Sequence, residues 1–534
     1  MQVPAADPSV VRASAQISAL TFVARLAGFA RWVMLGYAVG TTYLGNVYQT
    51  ANLIPNVVFE LVAGGMLSSV LVPTFVREQQ GGRERISEIA STLSNVLLLV
   101  SVPLVVLGIV FARPLMSALL VGVQDPAVKA EQIELGAWFL RFFLPQVPLY
   151  LLGIVMQGLL HAHRRFVLPA LGPLLSSLTV IATYITFRRM EQGVTLETVS
   201  QAQLWVLAGG TTLGVFVLTF CQLPSVLRLG IRWRPTIRWD DEVIRKALRA
   251  GGWGAGFLGV TQLMLVVAVM LANRVEGGVV AFQIANAFFE LPNAVIGLPV
   301  AIALFPALSE AFAAREESRF AQLLSHGWRL VLFGAIPASI GLYLLAPSAC
   351  EVLLGWAPDV RPELVVATLQ GLAIGVPPWL VIGTVVRALY ARGATARPFA
   401  LNAVAFAVLI GAGVGGTLVT DATGTSALRL LGSAIGAGWW FASIAGVLLL
   451  ARLCREWRLT DALRSLALNV VRGAVMGAAV WFVLRALTDA SSVVRLMLGG
   501  ATGAAVVAVS ALLAPDLRGS LAFLGGRMQT RQRT

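Results

Sequence analysis

Charge is what this sequence has least of. Only 12% of its 534 residues are Asp, Glu, Lys or Arg, against 57% hydrophobic residues and a mean hydropathy of +0.81. A soluble surface needs roughly 25–35% charged residues, so soluble enzymes and soluble nucleic-acid-binding proteins are excluded despite a net charge of +14. Cysteine is nearly as scarce. Cys221, Cys350 and Cys454 are scattered, which excludes a disulfide framework or a cysteine-built metal cluster. His161 and His163 stand beside Arg164 and Arg165 without a third or fourth ligand nearby, so no metal site is expected. There is no Walker A run and no nucleophile with His and acid partners at plausible depth, so the chain reads as no enzyme and no cofactor is expected. Residues 1–12 lack the layout of a signal peptide, so the first span is expected to stay in place.

What is abundant is apolar sequence of helix length. The chain reads as an all-α polytopic membrane protein of about 14 transmembrane helices. Six spans fall at roughly 14–39, 46–76, 89–112, 132–160, 166–187 and 202–227. Six more fall at roughly 250–273, 278–309, 327–347, 364–386, 398–420 and 427–451, and a last pair at 465–487 and 493–514. This divides the chain into an N-lobe (1–228), a cytoplasmic amphipathic linker (229–249), a C-lobe (250–452) and a C-terminal helix pair with a short tail (453–534). Most of the 40 Lys and Arg fall in loops that face inward if the N-terminus is cytoplasmic, which sets both termini in the cytoplasm. The linker interleaves Ile231, Trp233, Ile237 and Trp239 with arginines, a pattern suited to a membrane surface.

A few polar side chains sit inside the spans, and each needs a reason. Arg25 and Arg31 lie deep in the first span, where an arginine costs roughly 2.5–3.5 kcal/mol. Either they line a wet site for an anionic ligand or they pair with Glu60 and Glu290 inside the bundle. Six helical residues subtend about 600°, so the two point about 120° apart unless the helix bends at Gly28. Glu60 and Glu290 are candidates for a charge network or ion coupling. Asn56, Gln283 and Asn286 are candidates for sugar hydroxyls or for interhelical hydrogen bonds. Arg472 either snorkels to lipid phosphate or marks a lipid-tail groove. Pro377 and Pro378 are expected to kink span ten and free carbonyls there. The glycine run 411–416 reads as close helix packing. Segments 52–73 and 290–306 share Pro-Asn, then small residues, then Pro, which suggests a repeat about an axis along the membrane normal.

Ala24-Arg25-Leu26-Ala27-Gly28-Phe29-Ala30-Arg31, Asn52-Leu53-Ile54-Pro55-Asn56 and Gly64-Gly65 to Pro73 resemble the MurJ/MviN family of lipid II flippases, within the larger multidrug/oligosaccharidyl-lipid/polysaccharide exporter group. Phe166-Val167-Leu168-Pro169-Ala170 and Glu290-Leu291-Pro292 to Ser309 extend the resemblance over essentially the whole chain. The Phe59-Glu60 and Gly64-Gly65 variants are similar to actinobacterial members. The resemblance implies a two-lobed bundle in the bacterial plasma membrane that alternates between inward- and outward-open states to support peptidoglycan synthesis and cell shape. It implies a lipid-linked precursor of undecaprenyl-diphosphate type as cargo, membrane lipids and cell-wall synthesis proteins as partners, and no nucleic acid. By position, Arg25 and Arg31 match two cavity arginines of the family, and a tail groove lies by the last two spans. Asn46, Phe59-Glu60, Asn286-Ala287 and Trp32 depart from charges the family carries, which implies a less cationic cavity. Membrane potential or an ion gradient would be the drive. The alternatives on the same fold are a multidrug or small-solute cation antiporter and an exporter of another lipid-linked oligosaccharide.

Overall fold

In a computed structural model, the described residues are 8–66, 71–191, 193–236 and 252–514, with side chains described from residue 19 onward except at 63–66, 252–255 and 418. Their regular structure is helical throughout. The chain divides into two compact units, Met1–Gln262 and Leu263–Thr534.

Unit one holds α1 (Pro8–Val39), α2 (Tyr43–Met66), α3 (Val72–Glu78), α4 (Gly82–Val110), α5 (Ala112–Leu119), α6 (Pro126–Phe143), α7 (Gln146–Ala162), α8 (Val167–Met190), α9 (Gln201–Phe220) and α10 (Leu223–Leu227). Helix α1 packs along α8, α8 along α9, and α2 against α6 and α7. The end of α1 and the start of α2 are sealed by Leu35, Leu44, Val47 and Tyr48, none more than 1% exposed. Asp125 starts α6 by accepting from the amides of Ala127 and Val128, and Ser200 with Gln203 forms a capping box on α9.

The unit boundary falls within α11 (Gly252–Ala272). Unit two continues with α12 (Gly278–Pro292), α13 (Leu298–Ala313), α14 (Glu317–Leu354), α15 (Pro362–Ala373), α16 (Val376–Ala391), α17 (Ala396–Leu409), α18 (Gly415–Thr420), α19 (Gly424–Leu453), α20 (Leu459–Ala486) and α21 (Ser492–Leu513). Helix α19 is its axis, packed against α15, α16 and α17, while α20 and α21 pack on α14. Gly371 on α15 and Gly375 just after it meet Gly432 and Gly436 on α19 so closely that a Cβ on Gly432 would lie 2.6 Å from the Thr368 carbonyl oxygen. Two small-xxx-small faces thus let the backbones touch.

Among the described residues, 11 helical stretches are long and apolar enough to cross a membrane, or 12 when α15 and α16, bent by 46°, count as one. The expected fourteen is not reached on this measure. Helix α2 is diluted by Asn46, Gln49, Asn52, Asn56 and Glu60, and the apolar part of α11, Gly256–Ala272, is short. Span ten bends by 46° just ahead of its two prolines, which free the Ala373 and Ile374 carbonyls four residues back. The break falls at Ile374–Gly375, and Pro377 and Pro378 sit in the first turn of α16, where a missing N–H costs little. The carbonyls around the break are met by side chains rather than by a wet cavity: Ser339 Oγ donates to Ala373, Trp440 Nε1 to Ile374 and Ser443 Oγ to Pro378.

The loop ends of unit two are tied by one arginine. Arg392 follows α16, donates twice to Glu317 at 2.9 and 3.0 Å and once to the Leu453 carbonyl at 2.9 Å. Its guanidinium also lies 5.2 Å from the Phe312 ring and 5.0 Å from the Phe320 ring. The arginine side chain is 13% exposed and that of Glu317 40%. Arg392→Ala is expected to cost about 3 kcal/mol, the low end for breaking a buried pair, because Glu317 can regain water. The thermal midpoint of the purified protein reads this, and Arg392→Lys should recover little because it lacks the fork that holds both carboxylate oxygens.

Candidate functional site

Helix α1 runs unbroken through Gly28, so the two arginines keep their angular offset. Arg25 is exposed on a face it shares with exposed Phe22 and Leu26. Arg31 is half-buried, its guanidinium 5.2 Å from the Trp32 ring centroid, and it acts electrostatically on Tyr48, Tyr150 and Tyr184. Among the described residues, neither arginine has a carboxylate within 4 Å in its own unit. The bundle-pairing reading with Glu60 is therefore not what the structure contains.

Around Arg31 a polar face forms on α2 and α7. Asn56 donates to the Asn52 carbonyl at 2.6 Å and accepts from the Tyr150 hydroxyl at 3.2 Å. The Phe59 ring lies 4.5 Å from that of Tyr150. Glu60, one residue on, is exposed and acts electrostatically on the same tyrosine. Beneath it, fully buried Tyr48 is hydrogen-bonded to Tyr184 at 3.2 Å and to Thr211, and its ring packs on Phe139 and Phe143. Buried phenols of this kind find partners because an unpaired hydroxyl in hydrocarbon is costly. The arrangement offers one cation, one carboxylate, a phenol and an amide around an aromatic pair. Such a set can grip a diphosphate and the ring of a sugar.

In unit two, Gln283 and Asn286 are half-buried on α12, and Asn286 Nδ2 donates to Glu290 Oε1 at 3.1 Å. Glu290 is exposed, and neighbouring Phe289 stacks on Trp379 with centroids 4.6 Å apart. Beyond Pro292 the helix widens into a π turn, Asn293–Gly297, where glycine leaves room for the Asn293 side chain. The wide turn breaks the helix at the site where the two lobes' Pro-Asn segments were expected to correspond. Arg472 donates to Asn469 Oδ1 at 3.3 Å on α20. It does not line the apolar space nearby. A cavity of about 590 Å³ lies against Ile340, Tyr343, Trp440, Gly477 and Trp481, and a second of about 280 Å³ against Trp328, Pro378, Trp440, Leu459 and Leu463. Trp440 and Pro377 border both.

The histidines diverge: His163 Nδ1 is 2.8 Å from the Leu159 carbonyl and His161 packs on Phe166. Sequence reasoning missed Tyr150, Tyr48 and Trp440. Each carries one polar group on an apolar ring, a hydroxyl or an indole N–H, which an apolar run does not single out. Residues 67–70, part of the Gly64–Pro73 motif, and 237–249 of the linker lie outside the described residues.

Long apolar helices in two units, with charges and amides set on the helices themselves, define a multi-pass membrane transporter. The family model described as "Lipid II flippase MurJ" matches residues 35–501. The chain belongs to this family, one of transporters rather than enzymes. A protein of Rhizobium tropici named a probable lipid II flippase MurJ is 27% identical over 478 residues, covering 88% of this chain and 86% of its own. The lipid II flippase MurJ of Burkholderia cenocepacia is 24% identical, covering 72% and 74%. The fold matches a solved lipid II flippase MurJ in an inward closed conformation, with a TM-score of 0.75 at 20% identity, over 94% of this chain and 99% of that one. An inward-facing MATE-family multidrug resistance transporter matches less well, at 0.61 and 16% identity, over 82% and 95%.

Proposed function

We propose that the chain moves a lipid-linked anionic cell-wall precursor, lipid II, from the inner to the outer leaflet of a bacterial plasma membrane by alternating access. The observation that carries this is the family match running through residues 35–501. Arg31 holds the diphosphate, with Arg25 nearer the lipid-facing entrance. Asn56, Gln283 and Asn286 bind sugar hydroxyls, and the exposed carboxylates of Glu60 and Glu290 respond to substrate or to a coupling ion. Residues 1–228 and 250–452 act as the two lobes about the linker 229–249, and residues 453–534 add the helix pair whose apolar spaces beside Trp440 and Trp481 suit an isoprenoid tail. Arg472, on the first helix of that pair and bonded to Asn469, meets lipid phosphate or the entrance of the tail groove. Both termini are cytoplasmic, and cell-wall synthesis enzymes are the natural protein partners. Depleting the protein in cells and identifying the lipid-linked precursor that builds up on the cytoplasmic side tests the cargo. Lipid II is the expected species. Build-up of another lipid-linked glycan would reassign the cargo, and proton- or sodium-coupled efflux of a lipophilic cation with no precursor build-up would favour the antiporter.

A further inference from the structure

A buried stripe of side chains on α4 does a job that the transport reading leaves unused. Ser87, Ser91 and Asn95 are 4%, 1% and 9% exposed and recur every four residues. They zip up the start of the linker. Ser87 Oγ accepts from the Arg232 amide at 3.2 Å, and Ser91 Oγ accepts from the Arg234 amide at 2.9 Å and donates to the Arg232 carbonyl. Asn95 Nδ2 donates to the carbonyls of Arg234 and Thr236, both at 2.8 Å. The match is metric: four residues of helix rise about 6 Å, and two residues of extended chain advance about 6.6 Å. One face of a helix thus acts as a strand edge, and residues 232, 234 and 236 fall into register.

The strip held this way presents an exposed surface. Leu227 and Trp233 are 61% and 59% exposed, and Arg228, Arg232 and Arg234 are exposed beside them. Gly230, at φ +72°, turns the chain close to Arg83. Arg234 pairs with Glu84 at 3.3 Å. Among the described residues, the side chains of Arg83, Arg228 and Arg232 have no acidic partner. Depth follows from α4 itself. Its charged residues, Arg83, Glu84, Arg85 and Glu88, all precede its apolar run from Val96 to Val110, so Ser91 and Asn95 stand between the charged end and the hydrocarbon. That is the headgroup layer and its rim, where tryptophan and arginine collect.

We propose that residues 227–234, which leave α10, turn at Gly230 and are held extended from Arg232 on by Ser87, Ser91 and Asn95, form a binding site for the headgroup of an anionic phospholipid. The free guanidiniums of Arg83, Arg228 and Arg232 take the phosphate, and Trp233 and Leu227 lie against the glycerol and upper acyl carbons. Pre-fixing the backbone separates this site from a merely basic loop, because fewer rotors are frozen when the lipid arrives.

Native mass spectrometry of the full chain, exchanged between phosphatidylglycerol and phosphatidylcholine micelles, tests this. Wild type is expected to retain phosphatidylglycerol over phosphatidylcholine, and Arg228→Gln/Arg232→Gln to lower retention about tenfold or more. Ser91→Ala/Asn95→Ala should lower it too, with every arginine in place. Arg455→Gln/Arg458→Gln, an equal loss of exposed charge elsewhere, should leave it unchanged. Equal retention of the two lipids, an unchanged arginine variant or an equal loss in the charge control would overturn the proposal. So would displacement by millimolar inorganic phosphate, which marks a soluble-anion site. Should Ser91→Ala/Asn95→Ala lower the thermal midpoint, Arg228→Gln alone still decides.

Discussion

Arg31→Ala is expected to cut transport about ten- to a hundredfold while leaving folded protein in the membrane, since a hydrogen bond to a charged group is worth about 1.5–3 kcal/mol and each 1.4 kcal/mol is tenfold. The fold should tolerate the change because, among the described residues of its own unit, Arg31 has no carboxylate partner, so its removal orphans no buried acid there. It lies over the Trp32 ring and acts electrostatically on three tyrosines, whose hydrogen bonds to Asn56, Thr211 and one another do not involve it. Arg31→Lys retains the charge but not the fork that grips two oxygens of a diphosphate, and should fall between. Arg25→Ala is the internal comparison. On an unbroken helix the two side chains point about 120° apart, and Arg25 shares its face with exposed Phe22 and Leu26, so its loss should slow loading more than it weakens headgroup binding. Transport of labelled lipid II in proteoliposomes, with protein amount checked in the same vesicles, measures both. Full activity of Arg31→Ala would remove the clamp from the mechanism.

The membrane class and the all-helical build were legible because both rest on hydropathy, which the bilayer imposes on every lipid-facing residue. The first span is a plain case: the apolar run 14–39 corresponds to the end of a helix at Val39. The polar face on α2 was half legible. Asn56 and Glu60 announce themselves by their cost in a span, but Tyr150 and Tyr48 do not, since tyrosine is unremarkable in an apolar run and the hydroxyl partners come from other helices, Asn56 on α2 for Tyr150 and Tyr184 and Thr211 on α8 and α9 for Tyr48. Pro377 and Pro378 were legible, since each lacks the N–H that would bond the carbonyl four residues back, and the span bends beside those carbonyls of Ala373 and Ile374. Glycine shows the limit of such reading most clearly. In the run 411–416, Gly411 and Gly415 face open space, while Gly413 and Gly416 meet Leu271 and Leu430. Density of glycine marked that segment, whereas a backbone-to-backbone crossing lies where glycines recur at four-residue spacing, 371 and 375 facing 432 and 436.

Gly432→Val is expected to leave almost no folded protein in the membrane. Any Cβ at this position would sit 2.6 Å from the Thr368 carbonyl oxygen, 2.7 Å from the Leu372 amide nitrogen and 3.0 Å from the Gly371 carbonyl carbon. All three are backbone atoms of one helix, so no rotamer can yield and α15 must move bodily away from α19. Overpacking against side chains costs about 1–3 kcal/mol. Separating two helices costs more, because the dispersion contacts along the whole crossing loosen together. The crossing matters beyond its own residues. Helix α15 leads into the bend at Gly375, where a Cβ would meet the Gly436 Cα at 2.8 Å, and the side chains of Trp440 and Ser443 that satisfy the broken carbonyls are carried on α19. Shifting α19 would uncover those carbonyls to hydrocarbon, at a further cost for each. Gly432→Ala should be graded, with a lowered thermal midpoint and reduced yield, while Gly415→Ala, which meets nothing within 4 Å, should behave as wild type. Size-exclusion profiles of the three variants decide between a crossing set by backbone contact and one that side chains could re-form.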